Sequence, residues 1–210
     1  MTDKFSNKDA QQAHNYLLEL SKLTIRFAKV ERAPRYPTGE RENDVEHSFH
    51  LALLAAELAA DYYPELDIAM VTQYSLVHDL PESYVGDTWT LGIGDEDRAK
   101  KEKSEKEATD WLLRELPPHT AQLLKRYEEQ VEPEARFVRL VDKLTPSIIN
   151  MMAGKASTFS QDHGIKTIKE LRANHKANAE RLQKMFPEFE FIHMVRELIS
   201  ETSSEQIFKR

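Results

Sequence analysis

Residues 67–82, DIAMVTQYSLVHDLPE, read as a short helix whose two ends are both written into the sequence. Asp67 can cap its start, because an aspartate oxygen accepts from the first free backbone N–H groups. Pro81 stops it, since proline disfavours helix at itself and at the residue before. Ile68, Val71, Ser75 and His78 recur at three- and four-residue spacing, so the histidine is expected to face inward. Asp79 falls at the helix C-terminus, where the macrodipole disfavours a negative charge. If buried there it needs a cation partner, and a metal ion is the simplest. The bland alternative is a solvent-facing aspartate beside a core histidine.

Outward from this segment the chain repeats the same grammar. Residues 8–31 form a first helical pattern through Leu17, Leu18, Leu20, Leu23, Ile25 and Phe27, broken by the prolines at 34 and 37. Asn43 or Asp44 can cap a second helix to about Tyr62. Beyond Pro81 comes a loop, GDTWTLGIGDED, then a highly charged helix over about 96–116. Further helices are expected from Pro118 to about 131, from Glu132–Pro133 through Phe137, Leu140, Val141, Leu144 and Ile148, and near 165–185 and 189–201. Pro146 either kinks the 133–148 run or begins a new helix with Thr145 as its cap. No alternating strand pattern and no internal repeat is found. The reading is all-α, a bundle of roughly seven or eight helices.

Composition bounds the function. With 210 residues, 40% apolar and 31% charged, the chain suits a single domain with a substantial core. It has no cysteine, which removes disulfides, thiolate zinc sites and a cysteine nucleophile. A net charge of −7 and the lack of a basic stripe speak against polymeric nucleic acid, so an anionic ligand must be small and met by local cations. No apolar stretch is long enough for a membrane span, and MTDKFSNKDAQQAHN has no signal-like apolar run. A cytoplasmic location is expected.

His47 joins His78 as a second inward histidine, in register with Leu51, Leu54 and Leu58. Two such histidines on consecutive helices, one followed by an aspartate, favour coordination over two unrelated core imidazoles. Imidazole nitrogen and carboxylate oxygen suit manganese, iron, cobalt, nickel or zinc. Asp142 stands in the apolar run FVRLVDKL, where a carboxylate needs a partner: the metal, or a salt bridge to Arg139 or Lys143.

ValGluHisSer (45–48), ValHisAspLeuProGlu (77–82), GlyAsp (86–87) and ValAspLysLeu (141–144) together resemble the HD-domain metal-dependent phosphohydrolases, and more closely their 5′-deoxynucleotidase branch. The similarity covers roughly residues 15–155. It implies a single HD domain over 1–210, with C-terminal helices at about 165–201 packing on that core. It implies that His47, His78, Asp79 and Asp142 hold one divalent metal ion: manganese, cobalt, iron, nickel, zinc or magnesium. It further implies that Glu82 handles the proton of an attacking water and that Asp87 helps bind or activate the substrate. Arg32, fifteen residues before His47, stands where the branch carries a nucleotide-contacting arginine, with Arg35 as the nearby alternative. Lys143 either meets phosphate or neutralises Asp142. The bacterial enzymes often place tryptophan after that arginine, whereas this chain has Ala33; Tyr36 or Trp89 is then the candidate stacking surface.

The activity implied is removal of phosphate from a (deoxy)nucleoside 5′-monophosphate, with a small-molecule nucleotide as the partner and a homodimer as the family's habit. The competing readings are a nucleoside triphosphate or alarmone hydrolase and a non-catalytic nucleotide-binding HD domain. GlyLysAlaSerThr at 154–158 lacks Walker spacing, GlyIleGly at 92–94 follows no strand, and the run from Asp97 to Glu107 is a solvated face with i,i+4 pairs. The remaining histidines receive no role.

Overall fold

The computed structural model describes residues 5–87 and 95–209. Helix α1 (Asn7–Phe27) leads into a short ribbon, β1 (Glu31–Arg35) and β2 (Arg41–Asn43), then α2 (Asp44–Tyr62), α3 (Ile68–Val77) and the single turn α4 (Glu82–Val85). The second half is helical among its described residues: α5 (Asp95–Glu115), α6 (Pro118–Glu129), α7 (Pro133–Asp142), α8 (Thr145–Ala153), α9 (Ala156–His163), α10 (Ile168–Met185) and α11 (Glu190–Ile207). The all-α reading holds, and the short helices α4 and α9 add to the expected bundle.

The ribbon is the departure. The proline-containing stretch read as a mere break pairs antiparallel with β2, Glu31 opposite Asn43 and Arg35 opposite Arg41, with an irregularity between. In a two-stranded ribbon both strands are edges, so the missing N–H of Pro34 is tolerated. Gly39 closes the turn at φ +102, a left-handed value that glycine takes without a Cβ clash. Alternation is not visible over so short a pair, which is why the sequence pattern passed it by.

Asn43, not Asp44, caps α2. Its side chain accepts from the N–H groups of Val45 at 3.0 Å and Glu46 at 3.1 Å, while Glu46 accepts in return from the Asn43 N–H. Asp44 is thereby free to turn inward. Asp67 caps α3 as expected, accepting from Ala69 and Met70. Between α7 and α8 the chain breaks at Lys143–Leu144. Thr145 opens α8, Pro146 sits in its first turn where an absent N–H costs nothing, and the Thr145 hydroxyl donates back to the Asp142 carbonyl at 2.8 Å.

The main core lies where α2, α3 and α7 meet. Leu51, Ala55, Ala59, Val71, Tyr74, Phe137, Val138, Leu140 and Val141 are all fully buried there. Ile68, expected on the same face as Val71, is instead 43% exposed because it opens the helix outside this packing. Helix α1 contributes only Leu23 and Phe27 to the interior; Leu17, Leu18 and Ile25 remain exposed. Helix α11 packs on both α10 and α8, carrying the C-terminal pair onto the motif core. Among the described residues, no helix is long and apolar enough to cross a membrane.

Asp162 of α9 pins the ribbon to the second half. It accepts from Arg35 Nε at 2.6 Å and Nη2 at 3.1 Å, and from Arg41 Nη2 at 2.8 Å. The hydrogen bonds from Arg35, and the charge of Arg41, hold its carboxyl below the usual aspartate range against the effect of burial. A folded-state pKa below the unfolded value gives stability that is complete above the unfolded pKa and lost as pH falls through the folded one. Asp162→Asn should therefore lower unfolding stability by about 1–2 kcal/mol at neutral pH. In urea melts, the gap between wild type and variant should close only below about pH 4. A gap of the same size at all pH values would show that charge is not what binds the ribbon.

Candidate metal centre

Four side chains from three places in the fold converge at the inner end of the core. His47 comes from the first turn of α2, His78 and Asp79 follow the last residue of α3, and Asp142 ends α7. One ligand-capable atom from each lies within 4.8 Å of all the others. His47 Nε2 is 3.1 Å from Asp142 Oδ1 and 3.6 Å from Asp79 Oδ2; His78 Nε2 is 2.9 Å from Asp79 Oδ2. The two Nε2 atoms face each other at 3.3 Å.

The chemistry of this donor set fits a cation. His78 Nδ1 lies 2.8 Å from the Ser75 carbonyl, an acceptor that requires the ring proton on Nδ1. That leaves the Nε2 lone pair of the neutral ring aimed into the cluster, toward a carboxylate oxygen and a second imidazole nitrogen. Behind His47, the fully buried Glu42 carboxylate approaches Nδ1 at 3.6 Å, and neither Glu42 oxygen nor His47 Nδ1 has a hydrogen-bond partner. Buried acceptors that confront one another are unfavourable unless positive charge lies between them. The protonation tendencies carry the same sign. Burial and Arg32 oppose a charged His47, yet its hydrogen bond to Asp142 and the nearby Glu42 carboxylate push it up to about 9. Burial opposes the ionised Asp142, yet Lys143, His47 and His78 hold it well below the usual carboxylate range. Asp79 behaves likewise, with His78 and Arg32 outweighing burial.

Arg32 ties the surroundings together. Its Nη1 donates to Asp79 at 2.9 Å, to Asp44 at 3.0 Å and to Glu82 at 3.4 Å, and its Nε lies 3.6 Å from Glu42. Glu82 is buried at the start of α4, and Lys101 of α5 reaches it at 3.3 Å. Burial, then the charges of Asp79 and Asp87, raise the Glu82 carboxyl well above its ordinary value, with Arg32 and Lys101 opposing. Lys143 donates to Asp142. Arg32, Asp79, Glu82, Asp87, Asp142 and Lys143 all border one cavity.

Other candidates lie elsewhere. Arg35 is spent on Asp162 and the Gly39 carbonyl and does not line this cavity; Tyr36 sits beside it, donating to Glu46. Trp89 lies outside the described residues. Sequence reading passed over Glu42, Asp44, Lys101, Arg181 and Arg196. Asp44 had a visible signal, since it precedes His47 by three residues and shares its helix face. Lys101 had none. The charged helix does form exposed i,i+4 pairs such as Lys100–Glu96, but Lys101 is turned inward toward Glu82.

A model of the HD domain family matches residues 26–186. A human protein named 5′-deoxynucleotidase HDDC2 is 28% identical over 122 residues, 55% of this chain and 58% of that protein. A Xenopus laevis protein of the same name is 31% identical over 134 residues, 60% of this chain and 64% of that protein. The chain thus spans about three fifths of the length of these curated relatives. The crystal structure of a predicted metal-dependent phosphohydrolase from Magnetospirillum magnetotacticum shares the fold, with a TM-score of 0.71, 96% of both chains covered and 24% identity.

Two outcomes are expected from the centre. Wild-type protein should retain a divalent metal through gel filtration, and His47→Ala, His78→Ala or Asp142→Ala should each lose it when metal content is measured by mass spectrometry. Full retention in all three variants places the metal elsewhere. Arg32→Met leaves four carboxylates around an uncharged side chain, and urea melts should show a loss of about 3–5 kcal/mol, as for breaking a buried ion pair. A loss under about 1 kcal/mol would mean that the network is not holding the ribbon to α2 and α4.

Proposed function

The chain belongs to the HD domain family, and from its site we propose that it is a metal-dependent phosphohydrolase that removes the phosphate of (deoxy)nucleoside 5′-monophosphates. The observation that carries this reading is the juxtaposition of the His47–His78–Asp79–Asp142 cluster with a buried Glu82 on one cavity wall. The curated relatives' name supports the nucleotide part. The acting unit is one HD domain whose C-terminal helices complete the cavity wall.

His47, His78, Asp79 and Asp142 hold the metal. Bound there, a divalent ion supplies Lewis-acid chemistry toward a phosphoryl oxygen. Glu82 takes the proton of the attacking water; a buried carboxyl whose proton affinity is raised by Asp79 and Asp87 is suited to keep it. Lys101 and Arg32 hold the Glu82 carboxylate in place from its two sides. Asp87 borders the same cavity and helps bind or activate the substrate. Arg32 keeps Asp79 and Glu82 in register and, with Lys143, limits the negative charge that an incoming phosphate meets.

Glu82→Gln preserves the shape of the side chain and removes its basicity. It should keep its metal and lose about 10²–10⁴-fold in kcat for nucleoside monophosphate hydrolysis, with KM changed far less. A variant with near wild-type kcat takes Glu82 out of the chemistry. A wild-type protein that releases no phosphate from any nucleoside monophosphate, across several divalent metals, overturns the reading itself.

A further inference from the structure

The cavity does not end at the motif residues. His175, Asn178, Arg181, Arg196 and Ser200 of the C-terminal helices line it as well. Arg196 is only 5% exposed. Its Nη2 donates to the main-chain carbonyl of His175 at 3.2 Å, and no carboxylate pairs with it among the described residues. The charge that does act on it is another cation, Arg181. Burial, followed by that repulsion, lowers the guanidinium to about 10, so it remains charged at neutral pH. His175 offers no compensation: burial and Arg196 push its imidazole down to about 4, and its Nδ1 has no hydrogen-bond partner.

This sets Arg196 apart from the other cations around the site. Arg32 has its carboxylates, Lys101 has Glu82 and Glu105, Lys143 has Asp142, and Arg139 has Glu128. A guanidinium carries five N–H donors in a planar fork, and a single carbonyl leaves most of them unused. A buried charge is ordinarily paired, because burying it alone is unfavourable. Here the missing partner faces a cavity that also reaches the metal cluster.

We infer that Arg196, with Arg181 beside it, forms an oxyanion subsite that holds a phosphate group. The choice of phosphate rests on the phosphohydrolase reading above; the need for an anion rests on Arg196 alone. The shared chemistry has two sources, the phosphate of the substrate and the free phosphate released from it. The competing role is structural: Arg196 merely fastens α11 to α10 through the His175 carbonyl. The two roles differ in what happens to stability. A fastening residue is missed when removed, whereas an unpaired buried charge kept for a ligand is not.

The test uses the full-length, metal-loaded protein, with inorganic phosphate as the probe, read by calorimetric titration and thermal melts. Wild type should bind phosphate and melt higher in its presence. Arg196→Gln should lose about tenfold or more in phosphate affinity, close to the worth of one charge-assisted contact, without melting below wild type when phosphate is absent. Arg196→Lys should keep part of the affinity. Arg181→Gln, at a less buried position, should fold normally and bind phosphate more weakly, so the test stands even where Arg196→Gln fails to fold. A KM for nucleoside monophosphate that rises with the loss identifies the substrate's own phosphate. An unchanged KM identifies free phosphate held beside it. Phosphate affinity equal to wild type in all three variants overturns the subsite, and a lower melting point with unaltered affinity assigns Arg196 to fastening. If no phosphomonoester is hydrolysed yet Arg196→Gln still loses phosphate, the phosphohydrolase reading falls and the subsite stands.

Discussion

Three carboxylates from three different elements lie within 3.4 Å of one nitrogen, Arg32 Nη1. Asp44 opens α2, Asp79 follows α3 and Glu82 opens α4, while Arg32 itself stands on the ribbon. Like charges this close repel strongly in a poorly solvated interior, and a guanidinium is the side chain best shaped to meet several at once. The arrangement is therefore conditional. Without Arg32 the carboxylates at the ends of α2, α3 and α4 are left to repel one another, even though α2 and α3 stay packed through the apolar core. The ribbon is small, yet it delivers the charge on which the centre depends.

That dependence explains which parts were legible in the sequence. The helices followed from periodicity, and their limits from Asp67, Pro81 and the prolines after residues 116 and 132. His47 and His78 could be placed inward because their helix faces were apolar. Asp142 stood out as a carboxylate in an apolar run. What the sequence could not display is the second layer. Glu42 and Asp44 look like surface acids in a charged stretch, and only the choice of Asn43 as cap turns Asp44 inward. Lys101 sits in a helix whose other lysines are solvated, and nothing local marks it as different. Arg32 was expected to face a substrate; it borders the cavity, but its Nη1 is taken up by the protein's own carboxylates.

The His78 environment shows how a fold prepares a ligand without one. Ser75 lies one turn before His78, at the point where α3 ends and its last carbonyls lack helical partners. The Ser75 carbonyl accepts from the imidazole Nδ1, so the end of the helix fixes the ring tautomer and directs Nε2 toward Asp79 and His47. In a continuing helix the Ser75 carbonyl would accept from the Asp79 N–H; the end of α3 at Val77 leaves it to the imidazole, and Pro81 keeps the chain from running on as helix. A helix stop that reads as punctuation in the sequence thus becomes the device that orients a donor atom.

The lining of the cavity is out of charge balance in two places, with opposite sign. Among the motif residues, Asp79, Glu82, Asp87 and Asp142 outnumber Arg32, Lys101 and Lys143, the cations that line the cavity with them. Elsewhere on its lining, Arg196 is buried with no carboxylate partner among the described residues, beside a histidine that burial keeps neutral. Each place therefore calls for a different guest, a cation where the carboxylates gather and an anion at Arg196. A metal ion and a phosphate are the pair that satisfies both, and their charges attract each other across the same cavity. The folded chain gives up stability at each place separately, and the two costs are offset together when both sites fill.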